Sequence, residues 1–310
     1  ANTLSLHDAL PILTSKFTDK NFKHYVYSVI GKTSPSPILY SDVKNIKEFN
    51  IAELNLGDGL QMSNLNGIEY FTALNSLNCS RLELPTLDVS KNIALTSLDC
   101  SNNFQLKTLD VSKNTALTSL DCYDNQLKTL DLSKNASLTS LCCSGNLLTT
   151  LNVSKNTELT DLDCQNNNLT TLDTNIALTD LNCEYNQLTI LDISKNAALI
   201  SLNCQNNKLS TLDISKNTAL TDLRCDSNQL TILDVSKNTA LINLVCRDNQ
   251  LTILDISNNT ALKSLDCTYN QITTIYVITD RWGSGGSYRP QYIDSKRITT
   301  TNSLVVTIKQ

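Results

Sequence analysis

The chain has 310 residues and a formal net charge of −5. This acidic balance argues against nucleic acid or an anionic membrane surface as a partner, and no apolar run approaches the roughly 18 residues that a membrane span needs. Both histidines, His7 and His24, lie outside the repeats. The repeats therefore lack the histidine that most common catalytic sites use. We therefore expect a protein that is not an enzyme and that binds no cofactor.

Residues 1–12, ANTLSLHDALPI, resemble the translation of a sequencing adapter that contaminates metagenome-derived sequences. We interpret this segment as a non-native leader, with a disordered natural leader as the alternative, and leave it out of arguments about the fold. On this interpretation the natural N-terminus is missing, so no signal peptide is visible.

Residues 13–50 are predicted to form a helical N-terminal cap. Apolar residues at three-to-four spacing indicate a helix over about 19–30, with Asp19 at its start and Gly31 after its end. Residues 41–47 favour a second short helix with Ser41 as its N-cap. A solenoid needs such a terminal cap because its end coil would otherwise expose apolar core.

Cysteines recur through residues 51–279 at intervals of about 21 residues. A fixed period of this length predicts a solenoid, in which each coil buries its apolar face only by stacking on its neighbours. About eleven coils fit in this range. The cysteines of the repeat are Cys79, Cys100, Cys122, Cys143, Cys164, Cys183, Cys204, Cys225, Cys246 and Cys267.

Each coil is predicted to contribute one strand to a parallel sheet on one face. In Leu98-Asp99-Cys100 the alternation places Leu and Cys inward and Asp outward. Leu54-Asn55-Leu56 would supply the first strand, and eleven strands would give a rod roughly 50 Å long. The second half of each coil, as in Leu109-Asp110-Val111, predicts a shorter strand or an extended turn on the opposite side.

An asparagine stands three residues after most cysteines of the repeat. An amide side chain offers a donor and an acceptor, so a stack of asparagines can satisfy backbone groups where the chain leaves the sheet. These residues are Asn125, Asn146, Asn167, Asn186, Asn207, Asn228, Asn249 and Asn270.

The pattern L-x-x-L-x-C-x-x-N-x-L-x-x-L-x-[VI]-S-K-N resembles the leucine-rich repeat family, with cysteine in place of a strand leucine. Its short period and its LDVSKN motif resemble those of surface and secreted proteins of the Bacteroidetes group, and the architecture resembles that of the internalins. The resemblance implies a leucine-rich repeat solenoid, an extracellular or cell-surface location, and binding through the sheet face.

The cysteines themselves are interpreted as buried hydrophobes. Zinc sites favour close C-x-x-C spacing with histidine, and sulfurs that all point inward in one direction fit disulfide geometry poorly. Cys142 differs because it takes an outward position, and we expect it to be an exposed thiol. We predict no metal site. The repeated Asp-Val-Ser-Lys-Asn half is interpreted as a solvated back surface, with its Asp and Lys charges close together.

The outward positions of the strand half vary most from coil to coil. Packing does not decide which residues stand at these positions. Their variation is therefore either sequence drift on a solvated face or the mark of a ligand-binding surface. We predict a non-catalytic protein-binding module that presents a curved or rod-like sheet surface and acts as a monomer. A carbohydrate-binding adhesin and a passive spacer remain alternatives. The candidate ligand-binding residues are Asp99, Asp121, Tyr123, Asp161, Asp163, Asp180, Tyr185, Asp222, Arg224, Asp226, Arg247, Asp266 and Tyr269.

Residues 280–310 follow the last repeat. The stretch 281–290, RWGSGGSYRP, predicts a flexible loop, and its glycines lack the Lys-Ser/Thr that a nucleotide-binding loop would carry. Residues 303–308, SLVVTI, predict a strand that covers the last coil as a β cap. The beginning of a further domain is the alternative.

Overall fold

The computed structural model describes residues 14–52, 62–278 and 305–309. The predicted leader, the predicted strand at 54–56 and the loop at 281–290 lie outside the described residues. The chain falls into two compact units, Ala1–Leu148 and Thr149–Gln310. Both are built from stacked coils with parallel strands, so the predicted solenoid is confirmed.

The first helix, Lys20–Val29, begins where the sequence predicts. Asp19 caps it, because its Oδ1 accepts hydrogen bonds from the backbone N–H groups of Asn21 and Phe22, both at 2.9 Å. Short 3₁₀ turns lie at Thr14–Lys16 and Ile68–Tyr70.

The second helix is shorter than predicted and spans Tyr40–Val43. Ser41 was predicted as its N-cap, which is wrong, since Ser41 lies inside the helix. Asp42 caps instead: its Oδ2 accepts from the Leu39 N–H at 2.7 Å and from Lys32 Nζ at 2.5 Å. This carboxylate reaches back over the first turn and moves the helix start one residue earlier.

The strands on the cysteine side of each coil are termed the sheet-face strands. Each has three residues, of which the central one is buried and the outer two point away from the core. In the first unit they pair in parallel in chain order: Glu48–Asn50, Ser76–Asn78, Ser97–Asp99, Ser119–Asp121 and Ser140–Cys142. In the second unit they are Asp161–Asp163, Asp180–Asn182, Ser201–Asn203, Asp222–Arg224, Asn243–Val245 and Ser264–Asp266.

The strand beside Ser76–Asn78 is Glu48–Asn50, not the predicted Leu54-Asn55-Leu56. Phe49 is buried there, and its ring lies 4.5 Å from that of Phe71, centroid to centroid. A large aromatic residue fills the space beneath the cap more fully than a leucine would. The segment predicted as the end of the cap therefore contributes the first strand of the sheet.

The opposite side of the coils carries the back strands, as predicted for the second half of each coil. In several coils this half is extended without ladder pairing. Those that pair are Thr150–Asn152 with Thr171–Asp173, and Ile253–Asp255 with Thr274–Ile278, which pairs in turn with Val305–Lys309. The last strand confirms the strand predicted at 303–308, shifted by one or two residues.

The ten repeat cysteines are free and buried, as predicted. Each follows a sheet-face strand and continues its ladder; the Cys204 N–H, for example, donates to the Arg224 carbonyl at 2.8 Å. Burial raises the pKa of the Cys183 thiol to about 12, which keeps it protonated and unreactive at neutral pH. Cys142 is half-buried rather than exposed, with its Sγ 3.2 Å from Ser144 Oγ.

We expect Cys142 to be the one thiol of the eleven that reacts readily with a thiol-specific reagent in the native protein. The other ten thiols should react only after local unfolding, because burial blocks access of the reagent and disfavours the thiolate. Mass spectrometry after brief alkylation would identify the labelled site, and the same reaction in denaturant should label all eleven. Rapid native labelling of several buried cysteines would contradict the packing.

The asparagines three residues after the cysteines form the predicted ladder. Asn207 Nδ2 donates to the carbonyls of Cys183 and Cys204 at 3.0 and 3.2 Å, and its Oδ1 accepts from the Leu188 N–H at 2.9 Å. One amide thus satisfies groups of two successive coils. Asn186 and Asn249 repeat the arrangement.

A second asparagine ladder lies in the half that the sequence suggested was a solvated back surface. The Asn of Ser-Lys-Asn is fully buried in most coils, and the Asn217 Nδ2 donates to the carbonyls of Ile193 and Asn196 at 3.0 and 2.7 Å. The predicted solvated surface is correct only for the charged residues of the motif. The buried members are Asn92, Asn114, Asn135, Asn156, Asn175, Asn196, Asn217, Asn238 and Asn259.

The aspartate of the same motif closes the turn locally. Asp213 Oδ1 accepts from the Ser215 N–H at 2.9 Å, and Asp110, Asp131 and Asp234 do the same two residues ahead. These bonds, more than the neighbouring lysine charge, lower the pKa of Asp213. The motif changes little from coil to coil because three of its five residues form the turn or the core.

Candidate binding surface

The outward residues of the sheet-face strands in the second unit form two rows. Strand register places Asp161 beside Asp180, then Ser201, then Asp222 in the first row. The second row follows the buried leucines and runs from Asp163 to Arg224. Because the coils stack with a strand spacing of about 4.8 Å, side chains in one row are immediate neighbours.

These rows enclose a depression of about 360 Å³. Four of the predicted site residues line it, three carboxylates and one guanidinium. The remaining lining comes from residues that were not predicted, chiefly amides and a hydroxyl. The lining residues are Asp161, Asp180, Leu181, Asn182, Ser201, Leu202, Asn203, Asp222 and Arg224.

The carboxylates of the depression repel one another. Partial burial, followed by the charge of Asp180, raises the pKa of Asp161. At Asp163, which belongs to the second row but does not line the depression, burial raises the pKa, with smaller contributions from Asp161 and Glu184, against hydrogen bonds from Gln165 that lower it. A cation placed here would relieve this repulsion.

Neighbouring amides hold several acidic residues in place. Asn243 Nδ2 donates to Asp222 Oδ1 at 2.6 Å, and Gln165 Nε2 donates to Asp163 Oδ2 at 3.0 Å. Glu184 accepts from Asn203 Nδ2 at 2.9 Å and also from Gln205. Sequence analysis missed Asn182 and Asn203, although their outward register beside the predicted residues was a usable signal.

Tyr185 and Tyr269 lie in the turns that follow the strands rather than on the strands. Their φ angles are 50° and 54°, in the left-handed region that bulky residues seldom adopt. Other coils place Asn, Asp, Gly, Ser or, in one coil, Arg81 at the same point, so the repeat imposes this φ angle without requiring tyrosine. The rings are half exposed, and the Arg247 guanidinium carbon lies 4.6 Å from the centroid of the Tyr269 ring.

The structure separates the predicted site residues at positions 222–247 into two groups. Asp222 and Arg224 line the depression, whereas Asp226 and Arg247 lie beyond it, near the turns. Burial raises the pKa of Asp226, and the charges of Arg224 and Arg247 oppose that rise. Asp266 pairs in register with Val245, outside the depression.

The other predicted residues belong to the first unit. Asp99 and Asp121 are register neighbours and are each half-buried. The Asp121 Oδ1 accepts from the Tyr123 N–H at 2.9 Å, while the Tyr123 ring is exposed. These three residues do not line the depression of the second unit.

The described residues contain no group of three or more His, Cys, Asp or Glu side chains arranged to hold a metal ion. Within the same ranges, no helix has the length and hydropathy of a transmembrane span. The polar side chains that line the depression offer hydrogen bonds and charge.

Replacing Asp161 with Asn should stabilise the fold at neutral pH, by less than about 1 kcal/mol because the site is open to solvent. The raised pKa of Asp161 means that its favourable contribution is present below its unfolded pKa and is lost as the pH rises through its folded pKa. Thermal unfolding should therefore show a higher Tm for the variant at neutral pH and no gain in strong acid.

Asp192 provides the opposite control, since hydrogen bonds from the hydroxyl and amide of Ser194 lower its pKa. Its contribution is present above the unfolded pKa and is lost as the pH falls through the folded value. Asp192→Asn should lower the Tm at neutral pH. Equal Tm shifts of the same sign for the two variants would contradict the opposite pKa shifts of Asp161 and Asp192.

The stacked parallel strands, the buried leucine rows and the two asparagine ladders define a leucine-rich repeat solenoid. The chain is a bacterial-type leucine-rich repeat protein with internalin-like architecture. The functional domain of InlJ from Listeria monocytogenes, which includes a cysteine ladder, is similar at 37% identity and a TM-score of 0.78, over 84% of this chain and 57% of that chain. This chain thus spans less than two thirds of that domain.

Two further solved structures support the fold. A leucine-rich repeat protein of Leptospira interrogans matches at 25% identity and a TM-score of 0.68, over 76% of this chain and 63% of that one. An internalin, InlF of Listeria monocytogenes, matches at 20% identity and a TM-score of 0.63, over 97% and 98%, which supports the fold alone.

Among family models, that of the LVIVD repeat matches residues 244–269. This range is little longer than one coil and carries no argument about the whole chain. A comparison with curated proteins found no match.

Proposed function

We propose that the chain is a non-catalytic protein-recognition module, acting at a bacterial surface or in the surrounding medium, and that the sheet face of its second unit binds the partner. The observation that carries the proposal is the depression lined by Asp161, Asp180, Asp222 and Arg224. Three carboxylates against one guanidinium favour a partner segment that carries Lys or Arg. The internalin-type architecture supports a recognition role.

The same geometry accounts for the expected binding behaviour. The pKa of Asp161 is raised first by partial burial and then by the charge of Asp180, and a cationic side chain beside Asp161 would stabilise its ionised form. Association should therefore be faster and tighter at low ionic strength. It should weaken on acidification at a pH above the ordinary aspartate range.

Binding of carbohydrate is the second candidate, because two half-exposed tyrosine rings accompany planar amide and carboxylate groups on this face. Tyr185 and Tyr269 hold unfavourable backbone angles, which is explained if their rings serve a ligand. A glycan would depend on these rings more than on the carboxylates.

The test compares the protein with two charge-matched triple variants on a peptide array that includes Lys/Arg-rich sequences and on a glycan array. Asp161→Asn/Asp180→Asn/Asp222→Asn removes the carboxylates of the depression, and Asp192→Asn/Asp213→Asn/Asp234→Asn removes the same charge from the back. We expect the first variant to lose binding to basic peptides by about tenfold or more and the second to retain it.

Equal loss in both variants would indicate a general charge effect and would sink the assignment to the depression. Charge reversal at Arg224 provides a second measure, since it should alter which peptides bind. Glycan binding that survives both triple variants but is lost on Tyr185→Ala would support the carbohydrate alternative.

A further inference from the structure

The back of the second unit carries an uncharged surface that the recognition site does not use. In seven coils, from Thr149–Thr150 to Thr273–Thr274, the two residues between the buried aliphatic residues of L-x-x-L are only Thr, Ile or Ser. We call these fourteen positions the Thr/Ile patch. All are exposed except Thr274, which is half-exposed.

Threonine is common on exposed strands because of its β-propensity, but that does not explain the isoleucines. Ile190 and Ile232 are 73% and 76% exposed, and Ile253 is 51% exposed. The equivalent positions in the first unit include Lys107 and Lys128. The loss of charge thus begins with the second unit and persists through it.

The patch is large enough for a stable interface. Seven coils at about 4.8 Å each extend for about 30 Å, and fourteen exposed residues of this size present roughly 1,000 Å², against the roughly 800 Å² per partner of a standard interface. Thirteen of the fourteen are β-branched, so their side chains lose little rotamer freedom on contact. A continuous uncharged surface of this area, made of Ile side chains and the methyl and hydroxyl groups of Thr, can form an interface without burying an unpaired charge.

The residues flanking the patch identify the partner. On one side runs an aspartate row that includes Asp192, Asp213 and Asp234, and on the other a row of amides with one lysine, Lys208. All of these side chains are exposed. A partner surface that presents an uncharged Thr/Ile strip between a carboxylate row and an amide row in the reverse order would complement all three rows.

A second copy of this chain presents that surface. If the two-fold axis runs along the direction in which the coils stack, each aspartate row faces the amide row of the other copy, coil against coil, and Lys208 faces Asp213. If the axis runs across the coils, the aspartate rows face each other and repel. We propose that the chain forms a two-fold symmetric dimer through the Thr/Ile patch, with the coils of the two copies stacked in the same direction.

This dimer replaces the expectation of a monomer and leaves the sheet face of each copy free for its partner. It does not depend on the recognition function. Because the two copies are identical, their coil spacing is the same. The aspartate row of one copy therefore stays in register with the amide row of the other over the whole patch.

Sedimentation equilibrium of the full chain tests the proposal. We expect the wild type to be dimeric at micromolar concentration, and Ile190→Lys/Ile232→Lys to raise the dimer dissociation constant by about a hundredfold or more, because each change places two buried charges in one interface. Ile176→Lys is the matched control: Ile176 is 64% exposed in the same unit but lies outside the patch. Since all three residues are exposed, circular dichroism should show that the variants remain folded.

The orientation has its own test. Lys208→Glu should weaken the dimer, and Lys208→Glu/Asp213→Lys should restore it, because the exchanged charges meet across the two-fold axis. A monomeric wild type, or a dimer that tolerates lysines at Ile190 and Ile232, would overturn the proposal. Failure of the exchange to restore the dimer would overturn the arrangement with the coils in the same direction.

Discussion

Replacing Asn207 with alanine is expected to lower the free energy of unfolding by about 3 kcal/mol, because the Leu188 N–H loses its acceptor and the Cys183 and Cys204 carbonyls each lose one of two amide donors. The side chain is 8% exposed and serves two coils at once. Its amide donates to the Cys183 and Cys204 carbonyls, and its oxygen accepts from the Leu188 N–H at 2.9 Å. Alanine cannot replace either role.

Urea unfolding monitored by circular dichroism would measure the effect. Asn258→Ala is the control, because Asn258 is exposed and makes one long hydrogen bond, to the Ser236 carbonyl at 3.4 Å. Its effect should stay within about 0.5 kcal/mol, as is usual for surface substitutions. A loss for Asn207→Ala no greater than that of the control would rule out the ladder as a source of stability.

Asn217→Ala, in the second ladder, should cost about 2 kcal/mol. Its Nδ2 bonds the carbonyls of Ile193 and Asn196, and both would lose a donor in a site that is fully buried. The expected loss is smaller than at Asn207, because the Asn217 Oδ1 has no hydrogen-bond partner among the described residues and alanine removes that unpaired atom.

Asn217→Asp distinguishes the hydrogen bonds from simple packing. Aspartate has almost the same shape but offers no donor when ionised, and it would hold a buried charge against two carbonyl oxygens. It should therefore destabilise more than alanine does. Lys216→Ala, at the exposed neighbouring position, should have little effect. If Asn217→Asp were tolerated better than Asn217→Ala, the donor role would be wrong.

The repeat made most of the fold predictable. A period near 21 residues requires stacking, and the alternation in Leu98-Asp99-Cys100 settles which residues face inward. The ladder containing Asn207 followed from the need to satisfy backbone groups at a turn. Free, buried cysteines followed from their shared register. Each of these conclusions depends on local geometry that recurs in every coil.

The errors came from contacts between residues distant in the chain or from side chains that cap the backbone. Nothing local marks Phe49 as the centre of a strand; its packing against Phe71 decides that. Ser41 has the residue type of an N-cap, but the Asp42 carboxylate accepts from the Leu39 N–H, and the helix begins before Ser41. The lysine and aspartate of Asp-Val-Ser-Lys-Asn suggested a solvated half-coil, and they obscured the burial of its asparagine.

For the binding surface, the sequence alone identified the variable outward positions and their acidic character. It could not show which of the thirteen predicted residues meet, because residues 19 or more apart become neighbours only through strand register. Asp161, Asp180, Asp222 and Arg224 share a depression, whereas Tyr185 and Tyr269 lie in left-handed turns.

The sequence by itself determined the solenoid, since its periodicity leaves each coil unable to bury its core alone. It also determined which side of the coil varies. Only the tertiary structure decided where that variation forms a site and where Thr and Ile form an uncharged back surface. Both depend on the exposure and neighbours of each side chain, which arise when successive coils stack and which no single repeat contains.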